Sequence, residues 1–440
     1  MDLHDLQSEA AGVESAVLVG VQRHGDPAWK ARDTLDELAE LAGSAGVRVV
    51  ETYVCKMREP NPATFIGQGK VDEVGTRAAA TGASTLIFDD DLSPPQSRNI
   101  EDLTGMKVVD RTQVILDIFA QRAQTSEGRF QIELAQLEYL LPRLRHMWSH
   151  LERQKGGIGL RGPGEKQLEL DRRRIERRID RIRDELERVR SHREELRRGR
   201  RRHGWAIVCI VGYTNAGKST LLNAMCGSSV MADPRLFATL DPTTRKVDLP
   251  NHQPALLTDT VGFIRKLPHR LVEAFKATLE EVARADLLVH VVDASHPQAE
   301  AHIEAVDAVL REIGAEGRPR ILAFNKVDIA GAGPRARLLA GVGARTVSIS
   351  AASGEGLEAL RAEIADCLRE RGLEFDVRVP LADGRTQALI RQSASVQSQE
   401  FEDGFVRITG RIPARLRGSL EPYGRIGNED DGERSQPSGA

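Results

Sequence analysis

Short apolar segments alternate with amphipathic stretches between residues 13 and 122. The apolar segments have the length of strands, and the stretches between them carry apolar residues at helical spacing. The predicted strands are Ala16–Val21, Val47–Val54, Ser84–Phe88 and Lys107–Val109, and the predicted helices are Ala28–Ala42, Val71–Ala80, Ser93–Leu103 and Asp110–Arg122. Residues 1–127 are therefore expected to form an α/β domain with a parallel sheet.

A seven-residue apolar repeat begins near Gly128 and predicts two long helices. Pro142 is expected to kink the first of them. The apolar positions of the first repeat are Phe130, Leu134, Leu137, Leu141, Leu144, Trp148 and Leu151, and those of the second are Leu168, Ile175, Ile179, Ile182, Leu186, Val189 and Leu196. Residues 128–203 are expected to form an antiparallel two-helix coiled-coil arm.

A glycine-rich segment, Gly156–Gly164, separates the two repeats. Its five glycines are incompatible with a helix, and its length allows the chain to reverse. Because a connection between helices needs only a few residues, the extra length favours a functional tip, with Arg161 near its middle. A flexible linker is the alternative.

Strong apolar strands return after Trp205 and predict a second α/β domain over residues 204–372. These strands are Ala206–Val211, Ala255–Thr258, Leu287–Asp293, Arg320–Asn325 and Thr346–Ser350. Residues 373–424 are expected to form a small α+β module from Phe375–Val379, Thr386–Arg391, Gly404–Thr409 and Arg415–Leu420. The polar tail, residues 425–440, is expected to be disordered.

The first strand of this second domain ends in the phosphate-binding pattern GxxxxGK[ST], and a predicted helix follows it. In such a loop the backbone amides surround a phosphate, the lysine bridges β- and γ-phosphate oxygens, and the last hydroxyl ligates Mg²⁺. The pattern consists of Gly212, Tyr213, Thr214, Asn215, Ala216, Gly217, Lys218 and Ser219. A chance match at a tight turn is the alternative, and the flanking strand and helix argue against it.

A DxxG motif, formed by Asp259, Thr260, Val261 and Gly262, ends another predicted strand. A carboxylate there can reach Mg²⁺ through water, and the Gly262 amide can sense the γ-phosphate. The next residue is Phe263, where many Ras-like GTPases have a glutamine that orients the attacking water. Because a phenyl ring cannot make that hydrogen bond, intrinsic hydrolysis should be slow. Simple packing of Phe263 is equally compatible with that expectation.

A third motif predicts recognition of guanine and consists of Asn325, Lys326, Val327 and Asp328. A carboxylate at Asp328 can accept from guanine N1–H and from the 2-amino group. Adenine presents neither donor, so the carboxylate would be left unsatisfied. Backbone amides that could donate to guanine O6 follow the last strand, in Ser348, Ile349, Ser350 and Ala351.

The second arm helix is rich in arginine. Acidic residues between Asp171 and Glu195 offset part of this charge, and for any single arginine a solvated ion pair is favoured. For the net-basic cluster as a whole, contact with a phosphate backbone is favoured. The arginines are Arg172, Arg173, Arg174, Arg177, Arg178, Arg181, Arg183, Arg188, Arg190, Arg193, Arg197, Arg198, Arg200, Arg201 and Arg202.

Composition narrows the class of protein further. The 440 residues are 40% hydrophobic and 29% charged, and no stretch approaches the roughly 18 apolar residues of a membrane span. Four scattered cysteines support neither a disulfide framework nor a zinc site. The first residues lack the pattern of a signal peptide. A cytoplasmic protein without a membrane span is expected, and peripheral membrane association is left open.

A second glycine-rich pattern, Gly67-Gln68-Gly69-Lys70, lacks the length of a phosphate loop and any Mg²⁺ ligand in register. A turn before a helix beginning at Val71 is the favoured interpretation. The N-terminal domain is therefore expected to contribute a contact surface for RNA or protein rather than a nucleotide site.

These motifs resemble the translation-factor class of P-loop GTPases, and within it the HflX family. The more specific matches are Phe65–Lys70, Gly156–Glu165 and Leu236–Thr243, and the resemblance extends from about residue 15 to about residue 370. It implies that Thr239 closes on Mg²⁺ and the γ-phosphate, although spacing alone does not exclude Thr243 or Thr244. By this likeness the residues around the nucleotide include Phe237, Ala238, Thr239, Leu240 and Asp241, the metal ligands are Ser219 and Thr239, and the catalytic groups are Lys218, Thr239 and Gly262.

The resemblance also implies a function. Family members bind the large ribosomal subunit and its RNA, with the arm tip near the peptidyl-transferase region, so this chain is expected to be a Mg²⁺-dependent GTPase that dissociates stalled or idle ribosomes. A GTPase of ribosome assembly and a coiled-coil signalling adaptor are the alternatives. A monomer that binds guanine nucleotides is expected.

Overall fold

In a computed structural model of the chain, the described residues are 14–147, 163–202, 205–227, 236–237, 239–250, 253–266, 276–340, 345–370, 372–412 and 416–427. The strands are β1 (Ser15–Arg23), β2 (Arg48–Met57), β3 (Thr85–Phe88), β4 (Lys107–Asp110), β5 (Ala206–Gly212), β6 (Thr243–Leu249), β7 (Gln253–Asp259), β8 (Leu287–Asp293), β9 (Arg320–Asn325), β10 (Arg345–Ser348), β11 (Leu373–Pro380), β12 (Ser395–Glu402), β13 (Phe405–Ile412) and β14 (Gly424–Ile426). The helices are α1 (Ala28–Ser44), α2 (Gln68–Thr81), α3 (Pro94–Thr104), α4 (Arg111–Arg122), α5 (Ser126–Met147), α6 (Pro163–Arg202), α7 (Lys218–Cys226), α8 (Lys276–Ala283), α9 (Ala299–Glu312), α10 (Ala332–Leu339), α11 (Leu357–Glu370), α12 (Gly384–Ser393) and α13 (Arg417–Leu420).

A parallel sheet, in the order β2-β1-β3-β4, forms the centre of the first of two compact units. Val17 and Val19 of β1 face a core that includes Val71 and Val74 of α2 and Ile100 of α3. The other face is covered by α1 and α4, which also pack against each other. Covered faces explain why the predicted strands are continuous apolar segments. The predicted α/β architecture with a parallel sheet is confirmed.

The helices α5 and α6 share an apolar cluster. Leu137 of α5 and Ile179 and Ile182 of α6 are buried in it, and further members are Phe130, Leu134, Leu141, Ile175 and Leu186. All of them are positions of the predicted repeat. Residues 148–162 lie outside the described residues, so the tip with Arg161 and the antiparallel coiled-coil arrangement stay predictions.

Helix and strand boundaries correct three expectations. Helix α2 begins at Gln68, so three of the four residues expected in a turn form its first turn, with only Gly67 at the N-cap. Helix α6 begins at Pro163, because proline at the first helical position has no amide to satisfy. Helix α5 continues to Met147 through Pro142, as expected of one helix, and the kink at Pro142 stays a prediction. Strand β14 contains Arg425 and Ile426, which were expected in the tail, because they pair with β11.

The second compact unit contains a six-stranded sheet in the order β10-β9-β8-β5-β7-β6. All its strands are parallel except β6, which pairs antiparallel with β7 at one edge. Its core joins the central strands to α7 and α11, through residues such as Val208, Leu222 and Leu360. The phosphate-binding pattern lies at the carboxyl end of β5, where α/β sheets bind their ligands.

The same unit carries an antiparallel sheet in the order β12-β13-β11-β14. Its buried side chains include Val377, Val406 and Ile408, and Ile390 of α12 completes the core. The domain boundaries themselves stay predictions. None of the helices in the described part of the chain has the length and apolarity needed to cross a membrane.

Candidate nucleotide-binding site

The phosphate-binding loop connects β5 to α7, and its two glycines are required by close approaches. A Cβ atom at Gly212 would lie 2.3 Å from the carbonyl oxygen of Val291. A Cβ atom at Gly217 would lie 2.2 Å from Asn325 Nδ2, and the φ angle of Gly217 is +94°. Glycine is the residue that tolerates both conditions. The loop therefore places the N-terminus of α7 where a phosphate would bind.

Lys218 begins α7 and is 6% exposed. Its Nζ donates a 2.8 Å hydrogen bond to the carbonyl oxygen of Tyr213 within the loop. Burial lowers the pKa of Lys218 to about 8, and the nearby Asp259 carboxylate only partly opposes this. A bound phosphate anion would favour the charged form of Lys218. Without an anion, burial of this ammonium group is energetically unfavourable.

Ser219 and Asp259 form the polar pair expected beside a hard cation. Ser219 Oγ donates to Asp259 Oδ2 at 2.7 Å, and Asp259 is 1% exposed. Hydroxyl and carboxylate oxygens suit Mg²⁺. No cluster of three or more His, Cys, Asp or Glu side chains suited to a metal occurs among the described residues.

The DxxG motif lies directly against the phosphate loop. Phe263 donates its backbone N–H to Gly212 at 3.1 Å and accepts at its carbonyl oxygen from Thr214 N–H at 2.7 Å. A Cβ atom at Gly262 would lie 2.9 Å from Lys218 Nζ. The Phe263 ring is 2% exposed, which agrees with its packing interpretation. The motif thus brings Gly262 to the lysine but offers no polar side chain at the next position.

Asn325 joins the guanine motif to the phosphate loop. Its Nδ2 donates to the carbonyl oxygen of Ala216 at 2.8 Å, and its Oδ1 accepts from Ala351 N–H at 2.9 Å. Lys326 Nζ lies 2.6 Å from Asp293 Oδ2 at the end of β8. Burial would raise the pKa of Asp293, but the hydrogen bonds from Lys326 and Ser295 outweigh it and lower that pKa. Asp293 was missed from sequence, since no spacing links it to Lys326.

The structure leaves the exposed Asp328 at the start of the loop after β9. The amides expected to meet guanine O6 already have acceptors within the protein. Ile349 N–H donates to Phe324 O at 2.8 Å, and Ser350 N–H donates to Glu355 O at 2.9 Å. Ser348 is the last residue of β10. An amide contact with a bound base stays a prediction.

The segment containing Thr239 belongs partly to the first unit, which includes Leu236, Phe237, Thr239, Leu240 and Lys266. The rings of Phe237 and Phe119 pack edge to face with centroids 4.6 Å apart. Leu236 N–H donates to Ser44 Oγ at 3.3 Å. Ala238 lies outside the described residues, and Asp241 is half-buried in the second unit.

Thr243 and Thr244 were the alternatives to Thr239 for closing on the metal. Both lie in β6, and the Thr244 hydroxyl is 3.0 Å from the Thr258 hydroxyl of β7. Thr239 lies outside any strand.

Lys266, three residues beyond Phe263, is held by two carboxylates of the first unit. Its Nζ lies 2.6 Å from Asp89 Oδ2 and 3.0 Å from Asp90 Oδ1. Asp89 is 1% exposed and also pairs with the buried Arg111 at 2.7 Å. This ion network was missed from sequence because its members are far apart along the chain.

Family models match most of the chain. One described as the N-terminal region of a GTP-binding GTPase matches residues 32–120, and one for the middle region matches residues 122–200. A third, described as a 50S ribosome-binding GTPase, matches residues 207–326. Together with the phosphate loop and the two further motifs, these matches define a P-loop GTPase.

Relatives over nearly the full chain identify the family. The GTPase HflX of Lacrimispora saccharolytica is 43% identical over 96% of this chain and 99% of its own length. That of Escherichia coli is 45% identical over 91% of this chain and 94% of its own. The chain belongs to the HflX family of GTPases. The protein is therefore a GTPase and binds guanine nucleotides.

A solved structure of a GTP-binding protein from the hyperthermophilic archaeon Sulfolobus solfataricus with GDP is also similar. It is 26% identical, covers 80% of this chain and 98% of its own, and has a TM-score of 0.42.

Proposed function

We propose that this GTPase binds the large ribosomal subunit and dissociates stalled or idle ribosomes in a GTP-dependent manner. The observation that carries the proposal is the joining of a GTP site and a strongly basic helix in one chain. Helix α6 contains sixteen basic and ten acidic residues. The match of residues 207–326 to a 50S ribosome-binding GTPase supports the same partner.

The charge pattern of α6 supports contact with RNA rather than with protein alone. Arg173, Arg174 and Arg188 pair with acids one helical turn away and remain mostly exposed. Such surface pairs contribute little to stability, so they can exchange an acid for a phosphate at small cost. Residues 197–202 add five arginines without an acid. A polyanion is the partner that such an excess fits.

In the nucleotide site, the phosphate loop would bind the phosphates and Ser219 and Thr239 would hold Mg²⁺. Bound Mg²⁺ neutralises charge that develops on the phosphate oxygens during transfer. Lys218 would bridge the β- and γ-phosphates, and the Gly262 amide would donate to the γ-phosphate. Closure of the segment around Thr239 on GTP would then favour the ribosome-binding conformation.

Sedimentation of 70S ribosomes with the protein and GTP tests this proposal. We expect free subunits with GTP and intact 70S particles with GDP. A factor for ribosome assembly would bind isolated subunits but leave 70S particles intact. An adaptor that binds protein through its arm would show ribosome binding that hardly changes with salt, whereas a polyanion partner predicts steep salt dependence.

A further inference from the structure

Three aromatic rings lie in contact, one after another, beginning in the phosphate loop. The ring of Tyr213 lies parallel to the imidazole of His302, with a centroid distance of 3.8 Å and an interplanar angle of 3°. The ring of His296, in the loop after β8, is tilted by 32° against that of His302, with centroids 4.4 Å apart. Tyr213 is 5% exposed, and His302 lies near the start of α9. The ring orientation of Tyr213 is thus fixed by a helix that carries no nucleotide-binding motif.

The hydroxyl of Tyr213 reaches the chain just beyond the DxxG motif. Arg265 N–H donates to Tyr213 Oη at 2.8 Å. Two main-chain hydrogen bonds between Phe263 and the phosphate loop precede this contact. The side-chain contact is the outermost of these three attachments, so it limits how far the motif can move from the loop.

The charge state of His302 suits this stack. Burial lowers the pKa of His302 to about 3, with a contribution from His296 and Arg265 that Asp293 partly opposes. His302 therefore stays neutral at physiological pH. His296 Nδ1 accepts from Gln298 N–H at 3.1 Å, which fixes the outer ring as well. The neutral imidazole of His302 therefore packs against the Tyr213 ring without adding a positive charge to the stack.

We propose that His302 is a positioning residue for GTP hydrolysis, acting through Tyr213 to hold the DxxG motif against the phosphate loop. The inference rests on the proposed role of the Gly262 amide at the γ-phosphate. The step that needs this alignment is phosphoryl transfer. The affinity for GDP does not need it, because GDP has no γ-phosphate for Gly262 to meet. Loss of His302 should therefore slow turnover while leaving GDP binding intact.

Single-turnover hydrolysis by the full chain, at saturating GTP and Mg²⁺, tests the proposal. His302→Ala and Tyr213→Phe should each lower the rate roughly three- to tenfold, the effect of losing one hydrogen bond. The dissociation constant for GDP should change less than about twofold in both variants. His302→Phe keeps a stacking ring and should restore most of the rate. His24→Ala, an exposed histidine of the first unit, is the matched control and should match the wild type.

The double variant gives the sharper measurement. If both residues act through the contact with Arg265, His302→Ala combined with Tyr213→Phe should be no slower than the slower single variant. An unchanged rate in both single variants overturns the proposal, and so does a parallel loss of GDP affinity or a fully additive double variant. Gly262→Ala tests the proposed role of Gly262 separately from that of His302. If this variant hydrolyses GTP normally, the proposed role of Gly262 is wrong, whatever the result for His302.

Discussion

The side-chain amide of Asn325 donates a 2.8 Å hydrogen bond to the carbonyl oxygen of Ala216, 109 residues earlier in the chain. The same side chain accepts from Ala351 N–H, so one residue fixes the phosphate loop and the loop after β10 together. Both backbone groups are buried. The geometry of the base pocket and that of the phosphate loop are therefore not independent.

Asn325→Ala should weaken GDP and GTP binding equally. The change leaves two buried backbone groups without their partner, at a cost of about 1–3 kcal/mol each. We expect a loss of binding free energy of at most the sum of these costs, about 2–6 kcal/mol, measured by titration with a fluorescent guanine nucleotide. A loss confined to GTP would contradict the role of Asn325 as a link between the two loops.

Asp328→Asn should change the preferred base. The carboxylate is proposed to accept from guanine N1–H and the 2-amino group, so its loss should cost about 2–4 kcal/mol of GTP binding. Xanthosine triphosphate should gain, because its C2 carbonyl can accept from the new amide. Competition binding with both nucleotides checks this. Equal binding of ATP and GTP by the wild type would show that Asp328 does not select the base.

Nucleotide binding should take up a proton above pH 8. The pKa of Lys218 is lowered to about 8 in the protein alone, and a bound phosphate should raise it again. We expect little proton uptake at pH 7, uptake approaching one proton near pH 9, and GDP affinity that falls as pH rises through 8. Calorimetry in two buffers of different ionisation enthalpy measures the uptake. Equal proton counts at pH 7 and pH 9 would contradict the lowered pKa.

The lowered pKa of Lys218 should also make the stability of the folded protein depend on pH. Between pH 8 and the ordinary pKa of lysine, the unfolded chain binds the Lys218 proton and the folded protein does not. Stability rises with pH wherever the unfolded state binds more protons. The contribution of Lys218 to the free energy of unfolding should therefore increase over this range, and Lys218→Met should remove that increase.

Turnover should depend on a partner. Phe263 places no polar group beside the attacking water, whereas the loop and Lys218 can still bind GTP tightly. We expect slow intrinsic hydrolysis that rises at least tenfold when purified large ribosomal subunits are added. Lys218→Ala with subunits is the control and should show no hydrolysis. A fast intrinsic rate that subunits do not change would contradict this prediction.

Changes to the arm tip and changes to the arginines of α6 should have different effects. Deleting residues 157–164, of which 157–162 lie outside the described residues, should reduce ribosome splitting but leave GTP binding intact. Replacing Arg161 should have the same effect. Charge reversal along residues 172–178 should instead weaken ribosome binding and flatten its dependence on log salt, by up to about 0.9 for each lost phosphate contact. Ribosome pelleting across a salt series, with splitting at saturating GTP, separates the two. If the deletion splits ribosomes normally, the tip is only a linker.

The strands of both parallel sheets were predicted closely because parallel strands covered on both faces are continuous apolar segments. Strand β6 was not predicted, because it is not covered in this way and has no continuous apolar segment. It lies antiparallel at an edge, and only Val247 and Leu249 of its seven residues are buried. Its sequence therefore lacks an apolar segment. Edge strands of this kind are recognised only once their neighbour is known.

Some residues of the site could be predicted from the sequence, and others could not. The residues of the three nucleotide motifs are contiguous in the chain, so spacing alone brought Lys218, Gly262 and Asn325 to attention. His302 and Asp293 reach the site through the fold, from an ordinary helix and a strand end. No spacing rule connects either residue to Tyr213 or Lys326, so their contacts could be found only in the structure.

The hydrogen bond from Leu236 N–H to Ser44 has a consequence for the order in which this protein is made. The two residues are 192 positions apart, which at about 5–20 residues per second corresponds to roughly 10–40 s of synthesis. In the later part of that interval, after β4 ends at Asp110, the strands of the first sheet have all been translated, whereas the segment that packs on Ser44 and Phe119 has not. The nascent N-terminal domain thus presents a surface that its own chain covers only later.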